Sequence, residues 1–349
     1  MAYTTIDDPS AFFQTVLYTG NGGTQAITNT GNSDLQPNWI WTKVRSEVGS
    51  HRLVDTVRGL AKPLGANGTD AEADETNYSA FDSDGFSLVN DSLNENTRTY
   101  VAWQWKAGTS FSNDASSTSV GSVDSAGSVS TDAGFSIINV VKNNTTAHTV
   151  AHGLGAVPQM IIGKSRTGSS YRWIVYHKDI GNTHALYLNE NFVKTDSVTF
   201  WNDTTPTSSV FSLGTDNSWN GTSIFYCFAE KQGYSKFGSY TGNGNADGTF
   251  VYTGFRPAFV ITKASSVGQS WQLYDNKRNT FNQSSKILFP NLSASEQDDS
   301  SAAVIDILSN GFKQRVNDAG GNGSGGTYIY MAFAENPFVT STGIPTTAR

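Results

Sequence analysis

The sequence predicts an all-β chain made of three tandem β-sandwich repeats of jelly-roll type. Three observations carry this. One phrase occurs three times, reading proline, any residue, three apolar residues, a small residue and lysine: Pro37–Lys43, Pro158–Lys164 and Pro257–Lys263. Each copy then passes a Gly-Phe or Val-Phe pair (Gly85-Phe86, Val210-Phe211, Gly311-Phe312) and closes on an aromatic stretch (Tyr100–Trp105, Ile224–Phe228, Tyr328–Phe333). Several landmarks in one order are the signature of a repeat array. Gly, Ser, Thr and Asn are abundant, charged residues make up 15% and aromatics 12%, a composition that favours strands and turns over helices.

Taken in order, residues 1–11 read as an N-terminal arm and 12–108 as the first repeat. Within it, Pro37 stands ahead of a strand, where its missing N–H does little harm. Trp39 and Trp41 alternate with Ile40, and Trp103 and Trp105 with Gln104, so each tryptophan pair occupies one face of a strand. Residues 109–133 are rich in Ser, Gly, Asp and Val and contain no Lys, Arg or Pro. They read as a flexible connector with one short strand around Gly127–Ser130. The second repeat covers 134–233 and the third 234–338. These two follow without a gap and are expected to be packed or stiffly joined, with the first tethered more loosely. Gly-Asn turns such as Thr19–Gly23 and Thr241–Gly244 supply the positive φ angles of tight hairpins. Ser300–Asn310 fits either a turn of helix or a strand, and 339–349 reads as a frayed tail. About seven strand-like segments per copy match a β-sandwich or jelly roll.

The 349 residues carry 23 basic and 30 acidic side chains, net −7. That balance argues against nucleic acid, whose recognition needs a basic face. No apolar run approaches the ~18 residues that mark a membrane-spanning helix, and the opening residues lack the basic and apolar regions of a signal peptide. Cys227, the one cysteine, allows no internal disulfide and reads as a core filler.

The copies also act as controls on one another. Trp39 and Trp41 become Met160 and Ile162, then Phe259 and Ile261. Trp103 and Trp105 become Tyr226 and Phe228, then Met331 and Phe333. Apolar bulk is kept and the indole is not, which is core behaviour and argues against sugar-stacking platforms. Trp173 and Trp271 match His51 in position and read as half-buried strand aromatics. Trp201 and Trp219 have no counterpart and fall in polar, turn-rich segments, which makes them the candidates for ligand contact. Against that stands a local hydrophobic latch. Lys43, Lys164 and Lys263 recur with Asp55 and Asp275 twelve residues after the first and third, a spacing read as a cross-strand Lys–Asp pair. His148 and His152 lie in strand or turn context, not on the helix face a zinc motif uses. Asp82-Ser-Asp84-Gly85 reads as a polar turn, since it lacks the distal glutamate of a calcium loop. No metal, cofactor or catalytic residue is expected.

The phrases Tyr240–Gly244 with Gly254–Lys263, His152–Lys164, Ser208–Thr215, Tyr234–Gly244 and Gly325–Phe338 resemble a family of repeat-containing structural proteins of tailed phages of marine bacteria. The resemblance covers about residues 12–338 and is strongest in the second and third copies. It implies lectin-like β-sandwich repeats in a non-enzymatic virion protein, a tail or tail-fibre component assembled in the host cytoplasm. Other virion proteins, and further copies of the chain, are the partners it implies. The first copy departs most and is a candidate attachment module. Alternative readings are a glycan- or receptor-binding adhesion module recognising host surface glycan, a capsid decoration protein, and a polysaccharide depolymerase.

Overall fold

A computed structural model of the chain describes residues 2–89, 92–142, 146–168, 170–298, 300 and 304–346. The protein is all-β, and every pair of named strands is antiparallel. Strands β1 (Phe13–Thr19), β2 (Gln25–Thr28), β3 (Trp39–Val44), β4 (Arg52–Asp55), β5 (Tyr78–Asp82), β6 (Gly85–Leu88) and β7 (Thr99–Trp105) form the first group. Its large sheet has the order β1-β7-β3-β4, and a smaller sheet β2-β6-β5 covers one face. The second group comprises β8 (Thr109–Asn113), β9 (Ser125–Ser130), β10 (Phe135–Lys142), β11 (His148–Ala151), β12 (Met160–Ser165), β13 (Ile174–His177), β14 (His184–Tyr187), β15 (Thr195–Asp196), β16 (Val210–Leu213) and β17 (Gly221–Phe228). The third comprises β18 (Ser235–Thr241), β19 (Phe250–Tyr252), β20 (Phe255–Ala264), β21 (Gln272–Asp275), β22 (Lys286–Ile287), β23 (Gln297–Asp298), β24 (Ile305–Leu308), β25 (Gly311–Gln314) and β26 (Thr327–Pro337).

The pairing order of the first large sheet returns as β10-β17-β12-β13 and as β18-β26-β20-β21. The recurrent proline phrase leads into the third strand of that order in the first two groups and lies within it in the third, and the aromatic stretch forms the last strand at its centre. In the second group β9 and β8 extend the sheet beyond β10, and β14 and β15 extend it beyond β13, making it eight-stranded. The segment 109–133 is therefore two strands of a sheet and not a flexible connector. The short strand expected around Gly127–Ser130 lies within β9. Its small residues let neighbouring strands approach closely: a Cβ at Gly127 would sit 1.8 Å from the carbonyl oxygen of Ile137. Ile305–Leu308 is a strand, while part of the ambiguous stretch, 301–303, lies outside the described residues.

Each large sheet is buried on both faces. In the first group Val16, Tyr18, Ile40, Val54, Tyr100 and Ala102 face Ile27, Phe86 and Leu88 of the smaller sheet. The alternate residues, Phe13, Trp39, Trp41, Val101, Trp103 and Trp105, point the other way. There they meet Phe135, Tyr226 and Phe228 of the second group and Phe259, Met331 and Phe333 of the third in one continuous apolar core. Trp39 stacks on Tyr226 with ring centres 4.4 Å apart, Phe13 on Phe333 at 5.3 Å, and Phe228 meets Phe333 edge-on at 6.0 Å. Burial on both faces explains why β3, β12 and most of β20 lack the polar alternation of half-exposed strands.

The three sheet groups are thus not a loose string. The first is joined to the other two as closely as they are to each other. The arm is also tied down: Ile6 is buried in the common core, and Thr4 Oγ1 donates to the Gln232 carbonyl at 2.8 Å. The described part of the tail is held too, with Ser341 donating from its amide and hydroxyl to Asp7. Met1 and residues 347–349 lie outside the described residues. A fragment of residues 12–108 would expose Trp39, Trp41, Trp103 and Trp105 together. It is expected to show no cooperative thermal transition by circular dichroism, whereas the whole chain melts as one unit. A sigmoidal melt of the isolated fragment would refute the shared core.

Candidate functional site

The repeated polar residues meet at the seams between sheet groups. The segment after β4 runs onto the second group, the segment after β14 onto the third, and the segment after β22 onto the first, closing a ring. Equivalent atoms make equivalent contacts. Trp173 Nε1 donates to the Gly65 carbonyl at 2.8 Å and Trp271 Nε1 to the Tyr187 carbonyl at 2.8 Å. His51 Nε2 reaches the Phe289 carbonyl at 3.0 Å. The backbone amides of Glu72, Lys194 and Glu296 donate to the carbonyls of Arg166, Ser265 and Arg45. In two of the seams this bond is flanked by a bidentate ion pair: Arg166 to Glu72 (2.8 and 2.9 Å) and Arg45 to Glu296 (2.8 and 2.9 Å).

The recurrent lysines lie in these seams, fully buried. Lys164 Nζ donates to the carbonyls of Ser165 (3.0 Å) and Thr69 (3.2 Å). Lys263 donates to Ala264 (2.6 Å), Phe192 (2.8 Å) and Asn191 (3.4 Å), and Lys43 to Val44 (2.6 Å). The expected Lys–Asp pair does not form. Asp55 is registered against Trp39, at the opposite end of β3 from Lys43. Burial pulls the lysine amines down to about 8 for Lys43 and Lys164 and about 7 for Lys263. Pro37, Pro158 and Pro257 stand at the entries to their strands; in the third copy the strand itself starts earlier, with register shifts on either side of Pro257.

Asp55 and Asp275 instead pair with an arginine three residues on. Arg58 Nε and Arg278 Nε each donate to the partner carboxylate at 2.6 Å, and all four side chains are fully buried. Each carboxylate also receives a donor from the next sheet group: Tyr226 Oη at 2.7 Å for Asp55, and Trp103 Nε1 at 3.1 Å for Asp275. The Asp-x-x-Arg spacing, present twice, was the legible sequence signal for this. In the second copy the same places hold His177 and Ile180, and His177 Nε2 contacts the Tyr330 carbonyl of the third group at 3.2 Å.

Trp201 and Trp219, the expected ligand-contact residues, are buried and belong to the apolar cluster between the two sheets of the second group. Their rings lie 5.6 Å apart, and Trp219 Nε1 donates to the Phe200 carbonyl at 3.0 Å. They form the hydrophobic latch and present no face to a ligand. The short helix Val198–Trp201 folds these polar-looking segments back over β16. Trp39, Trp41, Trp103, Trp105 and Cys227 are all fully buried, as expected of core residues.

Residues 8–337 match the family described as Domain of unknown function (DUF7483). The chain belongs to this family. The matched span takes in strands of all three sheet groups. A search of curated proteins returned no match.

A cleft opens between the first and third groups, with Phe13, Thr15 and Asn276 among its lining residues. The seam lysines and the Asp–Arg pairs are buried away from solvent. Their chemistry is that of a clamp, in which buried donors meet carbonyls of a neighbouring sheet group.

Removing one partner of a buried pair leaves an uncompensated charge. Asp55→Ala is therefore expected to destabilise the protein by about 3–5 kcal/mol, read from urea denaturation. A loss below ~1 kcal/mol would show the pair to be incidental.

The buried histidines and the seam lysines also set a pH profile. Burial lowers His51 to about 3, and His152 and His177 to about 4. A depressed folded-state pKa means that protons favour the unfolded chain. Stability is complete above the ordinary histidine range and falls with pH towards 4, each histidine costing about 2 kcal/mol at pH 5. The lysines act with the same sign at higher pH: stability rises from about pH 7 towards their ordinary value near 10.5. The melting temperature is expected to climb between pH 5 and pH 9 in scanning calorimetry; a flat or falling profile contradicts this.

Proposed function

We propose that the chain is a non-enzymatic structural protein of a tailed-phage virion, a tail or tail-fibre-type component that works by protein–protein assembly. The observation that carries this is the closed ring of seams around one core, which makes a stiff body from three sheet groups with no internal disulfide. A virion part must transmit load and keep its shape, and a body of this kind does both. The likeness of the phrases in residues 12–338 to repeat-containing phage proteins supports the same reading. The partners are other virion proteins, and the protein is present in many copies, as symmetric particles require.

The outer face of the third group supports a place for such contacts. Phe250 and Tyr252 on β19 are 44% and 53% exposed. The matching places on β2 are Ala26 and Thr28, and on β11 Thr149 and Ala151. Two exposed aromatics on an edge strand, where the other groups carry small residues, are the kind of anchor that protein interfaces use. A capsid decoration role fits the same body, and the particle region is what localisation would decide. The test is mass spectrometry of gradient-purified virions with gold labelling by an antibody to this chain. The expected result is a multi-copy component at one place on the particle; its absence from purified particles overturns the proposal.

A further inference from the structure

We infer that the free edge of β8 is the surface through which two copies of the chain join, strand to strand and antiparallel, about a two-fold axis at Phe111. This goes beyond the assembly role proposed above. It names one partner and one surface, and the purified chain shows it with no particle present.

β8 ends the eight-stranded sheet. It pairs with β9 over its whole length, and no backbone hydrogen bond leaves its other side among the described residues. A strand edge of this kind is a ready template for another chain, and proteins commonly blunt such edges with charge, proline, bulges or covering segments. The repeats supply the control. In the first and third groups the strands at this end of the large sheet are β1 and β18, and both are largely buried. Gln14 of β1 holds neighbouring chain against its strand, donating to the carbonyls of Ser10 and Ser33 and accepting from the amide of Gly31. β18 carries Lys236. β8 has neither device. It reads Thr-Ser-Phe-Ser-Asn, without charge or proline, and its register with β9 runs without a bulge. Thr109, Ser110 and Ser112 are exposed.

The strand also matches itself. Its sequence is nearly the same in both directions from Phe111, which makes a second copy the occupant it fits. Antiparallel pairing about that residue sets Phe111 on Phe111, Ser110 on Ser112 and Thr109 on Asn113, with no like charges opposed. Aromatic and hydroxyl pairs so placed contribute roughly 0.2–1 kcal/mol each. Phe111 is half-buried. Its ring packs on the apolar cluster between the two sheets of the second group and over Gly153, where a Cβ would come within 2.8 Å of it. The remainder of the ring is what its mate covers. The flanking charges agree with this pairing. Lys106 precedes the strand and the exposed Asp114 follows it, so the lysine end of one strand meets the aspartate end of the other. The two-fold axis makes each contact twice and closes the assembly at two.

The strand is five residues long. A pair of such strands buries less than the ~1,200 Å2 at which standard interfaces begin. The dimer is therefore weak in solution and fills only where copies are concentrated.

The test is sedimentation velocity of the full chain over a concentration series. A monomer–dimer equilibrium is expected, with a dissociation constant on the order of 10–100 μM. Ser110 and Ser112 face each other across the axis, so charges placed there report the register. The Ser110→Lys/Ser112→Lys variant sets lysine against lysine and is expected to weaken the dimer tenfold or more. The Ser110→Lys/Ser112→Glu variant sets lysine against glutamate and is expected to bind at least as tightly as the unaltered chain. Hydrogen–deuterium exchange of the unaltered chain is expected to slow across Thr109–Asn113 as concentration rises. A chain that stays monomeric throughout overturns the inference and leaves the edge to a strand of another protein. A dimer that both variants keep, or that both lose, overturns it in favour of another face or register. Exchange in β8 that ignores concentration does the same, whether or not the variants fold. None of these outcomes bears on whether the chain belongs to a virion, which the particle analysis decides separately.

Discussion

Everything in this molecule depends on the requirement that each large sheet hide two apolar faces. A smaller sheet covers one. The other has nothing to cover it but the equivalent faces of its two neighbours. Buried aromatics hide about 150–250 Å2 each, which at ~25 cal/mol per Å2 is a gross gain of several kcal/mol per ring, an upper figure because the unfolded chain already buries part of that surface. A seam hydrogen bond contributes a net ~1 kcal/mol. The apolar core therefore decides that the three groups associate, and the polar seams decide how they are turned relative to one another.

That division explains which polar residues are interchangeable. His51, Trp173 and Trp271 differ in shape and basicity, yet each presents one ring N–H to a carbonyl of the neighbouring loop. The His51 ring is fixed in the form that does so, because Trp41 Nε1 donates to its Nδ1 at 2.8 Å. Protonation would put a second hydrogen against that donor, which adds to burial as a reason for the ring to stay neutral. The Asp–Arg pairs of the first and third groups give way to His177 and Ile180 in the second, so an ion pair is one solution among others. What persists is a donor or acceptor handed across the seam. Lysine persists because its stem packs in apolar surroundings while its amine reaches backbone carbonyls in the seam, a reach that no shorter donor has.

The strands were legible because their residues carry local information. The proline phrase, the period-two tryptophans and the Gly-Asn turns all mark strands or hairpins that the structure contains. The substitution of Trp39 by Met160 and Phe259 already pointed to a core. What the residues could not show was whose core it is. A face that packs on a smaller sheet of its own repeat and a face that packs on two other repeats have the same apolar pattern. The loose tether expected for the first copy fails for this reason, and so does the flexible connector: Ser, Gly and Val at 109–133 suit an edge strand as well as a linker. Trp201 and Trp219 misled in the opposite direction. Their polar neighbours suggested exposure, but those neighbours form caps and turns, Asp216 and Ser197 accepting from backbone amides at the ends of short helices, while the indoles turn inward.

Repetition also gives this chain an internal reference that single-copy proteins lack. Where three equivalent places agree in character, the fold is sufficient reason. Where one departs, the departure must be harmless or must serve something local. Ser265 and Lys194 depart from the Arg–Glu pairs of the other seams, but the backbone bond between them remains, together with those of Trp271 and Lys263 across the same seam, so the loss is absorbed. Phe250 and Tyr252 depart outward, onto an exposed strand. β8 departs at a sheet edge, leaving it bare where the sister copies are largely buried. The first kind of departure relaxes a constraint, while the other two make the chain prone to association. Selection tolerates such a cost only where it is returned, and so the positions at which the repeats disagree at a cost are where the function of this protein is to be sought.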